Sequence, residues 1–73
     1  MRVIDARGWE APRPFEAVME ALCDLQPDEG LRLIIDREPH PLYRALERNG
    51  YLHYTTQLGD GSYEIDIRER SAA

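Results

Sequence analysis

Asp5-Ala6-Arg7-Gly8-Trp9-Glu10-Ala11-Pro12-Arg13-Pro14 is the stretch on which the fold turns. Ahead of it, Arg2-Val3-Ile4-Asp5 reads as a short strand that stops where Gly8 supplies a turn. Behind it, apolar residues fall at Phe15, Val18, Met19, Leu22 and Leu25, the spacing of one helical face, with Glu16, Glu20 and Asp24 opposite. A helix is predicted from Pro12 to Leu25, with Pro14 in its first turn, where a missing N–H costs nothing. The stretch is thus a strand-to-helix connection.

Working outward, Gln26-Pro27-Asp28-Glu29-Gly30 ends the helix. Leu31-Arg32-Leu33-Ile34-Ile35-Asp36 is a nearly continuous apolar run, as a central strand requires. Two strands joined through a helix should lie parallel, with a right-handed crossover. Arg37-Glu38-Pro39-His40-Pro41 then leads into a second helix, with Leu42, Ala45 and Leu46 as its apolar side and Gly50 as its stop. Tyr51 to Gln57 reads as a strand, with Leu52, Tyr54 and Thr56 on one face and Tyr51, His53 and Thr55 on the other. Gly59-Asp60-Gly61 is hairpin chemistry. In the return strand Tyr63, Ile65 and Ile67 alternate with Glu64, Asp66 and Arg68. The order β-α-β-α-β-β predicts an α+β fold, a two-layer sandwich: a four-stranded mixed sheet with two helices on one face. Ile4 or Ile34 is expected on the uncovered face. One domain is expected over residues 1–70, with 71–73 as a frayed tail.

Composition narrows the class. The chain has 73 residues, 42% hydrophobic and 32% charged, a balance typical of folded rather than disordered proteins. Its net charge of −5 argues against a nucleic-acid surface, which needs a concentrated basic face. No apolar run approaches membrane length and no signal-peptide pattern follows Met1, so no membrane partner and a cytoplasmic location are expected. The single Cys23 excludes a disulfide framework and a multi-cysteine zinc site. No residue pattern names a cofactor.

Asp5-x-Arg7-Gly8-x-x-Ala11-Pro12-x-Pro14, followed by an amphipathic helix and this strand order, resembles the TusA-like (SirA-like) superfamily. Its members carry Asp-x-Arg/Lys-Gly-Leu-x-Cys-Pro-x-Pro at the same place. Asp36-Arg37-Glu38-Pro39-His40-Pro41-Leu42-Tyr43 resembles an uncharacterised branch of that superfamily, whose members occur alone or beside other domains, including hemerythrin-like ones. The resemblance covers essentially the whole chain. In TusA proteins the motif cysteine carries a persulfide; here Ala11 stands in its place, and a methyl group cannot accept sulfur. Trp9 also replaces a smaller aliphatic residue.

Ligands of such sheets gather beyond the carboxyl ends of parallel strands. That edge should collect Arg7, Trp9, Pro12, Arg13, Arg37, His40 and Tyr43, the candidate binding residues. Helix N-termini with arginines nearby suit a small anionic ligand or a carboxylate of a protein partner. The competing reading is that Arg7 and Arg37 pair with Asp5, Asp36 or Glu38 and brace the loops. His40 is the candidate metal or haem ligand, with Asp36 and Glu38 as neighbours and Tyr43 to stack on it; the alternative is a histidine that caps the helix. His53 is expected to face solvent. Trp9 is read as a lid over the first loop, and Cys23 as a semi-buried packing residue in a poor setting for a thiolate, beside Glu20 and Asp24. No nucleophile-base pair is visible. The expectation is a non-catalytic binding or accessory module, monomeric or weakly dimeric. The alternatives are a sulfur-carrier protein whose thiol has moved to Cys23, and a metal or haem binder through His40.

Overall fold

A computed structural model describes residues 1–70; the tail expected at 71–73 lies outside the described residues. The elements are β1 (Arg2–Asp5), α1 (Arg13–Asp24), β2 (Leu31–Ile35), α2 (His40–Arg48), β3 (Tyr51–Gln57) and β4 (Tyr63–Glu69). They form one sheet in the order β1-β2-β4-β3. β1 and β2 are parallel, and β4 runs antiparallel to both of its neighbours. This is the expected α+β sandwich, with the two helices on one face.

The core follows from the two periodicities. Leu31 and Leu33 of β2 lie beside Ile67 and Ile65 of β4, so alternate residues of both strands turn one apolar face to the helices. Val18, Ala21 and Leu22 of α1 and Leu42 and Leu46 of α2 close onto that face. Fully burying each of these leucines contributes about 1.5–3 kcal/mol. Gly50 ends α2 at φ +84, the left-handed region that a residue with a Cβ adopts at a cost. Among the described residues no helix is long and apolar enough to cross a membrane.

The uncovered face corrects one expectation. Ile4 pairs with Leu33 and therefore points to the helices, where it packs against the core. Ile34 pairs with Asp5 and Glu64 and is the one that lies on the open face. Strand parity decides this, and the two isoleucines sit at opposite parity. At the centre of the open face Arg32 donates to Asp66 at 2.8 Å and approaches Glu64 at 3.1 Å, so the exposed middle is an ion-pair cluster. The hydrogen bond to Asp66, with the charges of Asp66 and Glu64, raises Arg32 further above its ordinary value.

Candidate functional site

The parallel strands β1 and β2 end at the same edge, and their outgoing loops are tied together there. Ala6 N–H donates to Ile34 O at 2.7 Å, extending the ladder one residue past β1. Gly8 N–H, in a turn of φ +83, donates to the carboxylate of Asp36. Asp36 is thereby drawn out of β2 and clamps the first loop to the second. Above the clamp lies a cleft of about 600 Å³ between the N-terminal ends of the two helices.

Its lining is chiefly apolar: Trp9, Pro12, Pro14 and Phe15 on one wall face Ile35, Pro39, Pro41 and Leu42 on the other, with Ala11 at the first loop. Arg37, Glu10 and Glu38 add charge to it. The Ala11–Pro12 peptide is cis. Phe15 corrects the sequence reading. It belongs to the apolar stripe of α1 yet is 37% exposed, while its neighbour Pro14 is buried. Periodicity assigns a helical face along its whole length, but the first turn of α1 borders the cleft rather than the sheet.

The structure divides the seven candidate residues into three settings. Trp9, Pro12 and Arg37 line the cleft together. Trp9 is half-buried and packs against the core, and the Arg13 guanidinium lies 4.1 Å from the centroid of its ring. This arrangement fixes Arg13 at the edge of the cleft by cation–π attraction.

Arg7 turns away to Asp5, donating at 2.9 and 2.7 Å in a two-pronged pair, and approaches Asp60 of the β3–β4 hairpin at 3.6 Å. The hydrogen bonds from Arg7, side chain first, hold the Asp5 carboxyl at about 2, below its ordinary 3.8. Bracing is thus what Arg7 does here. Arg37 differs: among the described residues it makes no ion pair.

His40 and Tyr43 lie on the side of α2 that faces β3, away from the cleft lining. Tyr43 stacks on His53, with ring centroids 4.5 Å apart and planes 3° from parallel, while His40 meets Tyr43 edge-on at 5.7 Å. The Tyr43 hydroxyl donates to Glu38 Oε2 at 3.1 Å and is hydrogen-bonded to Thr55 Oγ1. Burial pushes the Tyr43 phenol above its ordinary value. His53, expected to face solvent, instead has a half-buried ring bonded to Glu47 at 2.9 Å. The parity of β3 turns it toward α2, which sequence spacing alone does not show. His40 is 68% exposed at its side chain, with Glu38 at 3.6 Å. Among the described residues no three His, Cys, Asp or Glu side chains gather as a metal-holding group.

Cys23 is also corrected. It is exposed in the last turn of α1, its thiol hydrogen-bonded to Met19 O at 3.4 Å. The buried stripe runs through Val18, Ala21 and Leu22, and Cys23 falls just outside it.

The helix N-termini offer few free donors. In α2, His40 N–H donates to Glu38 O, Pro41 has no N–H, and both Leu42 and Tyr43 donate to Pro39 O. In α1, Arg13 N–H donates to Glu10 O and Glu16 N–H to Pro12 O; Pro14 has none. Among the described residues Phe15 N–H is the one amide of that turn without a backbone acceptor. The prolines that start both helices thus remove much of what an anion site uses. The sequence signal for the cleft was the pair of Pro-rich loops; Phe15, Ile35 and Leu42 were legible only as core positions.

A sheet of this order, covered on one face by two helices that begin at the ends of its parallel strands, defines the SirA/TusA-like fold. The crystal structure of a SirA-like protein from Desulfitobacterium hafniense superposes with a TM-score of 0.87 at 24% identity, covering 97% of this chain and 100% of that one. The family described as an uncharacterised conserved protein, DUF2249, matches residues 3–69, and the chain belongs to it. Comparison with curated proteins gives no match.

Proposed function

We propose that this chain is a non-catalytic binding module whose cleft between the two helix N-termini takes an apolar side chain of a protein partner, flanked by a carboxylate that meets Arg37. The observation that carries the reading is the composition of the cleft: an aromatic and proline-rich lining with a single arginine, which makes no ion pair among the described residues. Among the described residues the lining contains no Ser, Thr, Cys, His, Tyr or Lys, and Ala11 stands where a TusA-type motif has its thiol. Two of its carboxylates are engaged, Asp36 by Gly8 and Glu38 by Tyr43. Apolar walls with few, placed polar groups are what a recognition pocket needs. The lone cysteine fits a reducing compartment, and we place the module in the cytoplasm.

Amide NMR titration with N-acetyl-phenylalanine and, separately, its uncharged amide tests the reading. Saturable shifts confined to Gly8–Phe15, Ile35–Glu38 and Leu42 are expected for both. Arg37→Gln should weaken the acid and leave the amide unchanged. A flat response to both probes, or shifts centred on His40 and Tyr43, refutes it.

A further inference from the structure

We propose that β3 is the docking edge for a second copy of this chain, joined by antiparallel β3–β3 pairing about a two-fold axis at Tyr54. The inference concerns the far edge of the sheet and is independent of the cleft. Leu58 N–H donates to Ser62 O, and Arg70 N–H to Gly50 O, both at 2.8 Å. These bonds bracket a ladder that pairs Tyr51 with Glu69 through to Gln57 with Tyr63. Bonded and non-bonded pairs alternate in an antiparallel ladder. Leu52, Tyr54 and Thr56 therefore exchange bonds with β4, and Tyr51, His53, Thr55 and Gln57 direct their N–H and C=O groups away from the sheet. Among the described residues no strand lies beyond β3 to receive them.

Sheet edges are ordinarily guarded by charge, proline, a bulge or brevity. The opposite edge follows that rule: β1 has four residues and includes Arg2 and Asp5. β3 has seven residues, none of them Asp, Glu, Lys, Arg or Pro, and its register is unbroken. The strand also matches itself. With Tyr54 opposite Tyr54 of the second copy, His53 falls opposite Thr55 and Tyr51 opposite Gln57, so all four outward residues of each strand find a partner. Tyr54, 61% exposed on the open face, then meets its own copy in a non-bonded pair, where side chains approach most closely. Leu52, also exposed, falls opposite Thr56. No like charges face each other across the axis, although each chain carries −5. The contact is isologous and closes as a dimer.

Sedimentation velocity and amide hydrogen exchange on the full chain, over a dilution series, test this. A dimer that dissociates on dilution is expected. The amides of Tyr51, His53, Thr55 and Gln57 should exchange more slowly as concentration rises, while those of Leu52, Tyr54 and Thr56 stay protected throughout. Tyr54→Lys sets two ammonium groups against each other and should raise the dissociation constant roughly tenfold or more. Val3→Lys, on the opposite edge strand, should leave it unchanged. A monomer at every concentration, a dimer indifferent to Tyr54→Lys, or fast exchange at the four outward amides overturns the proposal. So does protection that appears only on adding an unrelated strand-forming peptide, which assigns the edge to a foreign strand.

Discussion

Replacing Ala11 with cysteine, in a Cys23→Ser background, returns a thiol to the place where the sulfur-carrier motif has one. How reactive it becomes follows from the first turn of α1. Pro14 offers no N–H, Arg13 N–H and Glu16 N–H are taken by local carbonyls, and only Phe15 N–H is open among the described residues. A helix terminus at an exposed position contributes about 0.3–1 kcal/mol to a nearby anion. At about 1.36 kcal/mol per unit, that lowers a thiol by at most about 0.7 units. Arg13 is the nearest cation in sequence, but its guanidinium lies over Trp9, and Glu10 and Glu16 oppose it. The introduced thiol should therefore titrate near 8, just below the ordinary value of about 8.5. Thiolate absorbance, or alkylation rate against pH, measures this directly. A value below about 7 would mean that the cleft stabilises a thiolate by more than about 2 kcal/mol. The reading that the prolines strip this terminus of its anion-stabilising donors would then be refuted.

Two further perturbations probe the elements around the cleft. Tyr43→Phe removes the hydroxyl that links Glu38 to Thr55 and keeps the stack on His53; a loss of about 1 kcal/mol is expected. In a chain of this size that lowers Tm by roughly 4–8 °C in a thermal melt, and an unchanged Tm would mean the linkage carries no stability. Asp5 provides a pH signature. Its carboxyl is held at about 2 in the fold against an ordinary 3.8, so as pH falls the unfolded chain takes up the proton first. The stabilisation is complete above 3.8 and is lost as pH falls through about 2. Carboxyl-carbon NMR of Asp5 should show the low value and, in Arg7→Gln, most of the return toward 3.8; a carboxyl that stays low would rule out the Arg7 side chain as its cause.

The legible parts of this chain are the ones governed by local rules. The stripe of α1, the apolar run of β2 and the alternation of β4 each specify an element and a face within a few residues, because periods of 3.6 and 2 are properties of the backbone itself. The edge where the two loops gather was legible for the same reason, since a strand-helix-strand crossover sends both strand ends to one side. The division of the candidate residues was not. Trp9 and Arg37 both line the cleft, while His40 and Tyr43, only three and six residues beyond Arg37 in sequence, turn to β3. Arg37 lies in the loop ahead of α2, and a helix turns about 100° per residue, so in its first turn Pro41 and Leu42 line the cleft while His40 and Tyr43 do not.

By itself, the sequence determined the element order, the parallel first pair, the two-layer architecture and the absence of a thiol at position 11. These follow from periodicity, turn chemistry and residue identity, which act over a few residues. The tertiary structure alone decided that Phe15 opens onto a cleft, that His53 stacks under Tyr43, that Ile4 is covered and Ile34 is not, and that the outward amides of β3 have no strand beside them among the described residues. Each depends on which surfaces meet when distant segments pack. Strand parity, helix length relative to the sheet and position at an edge are settled only by that packing.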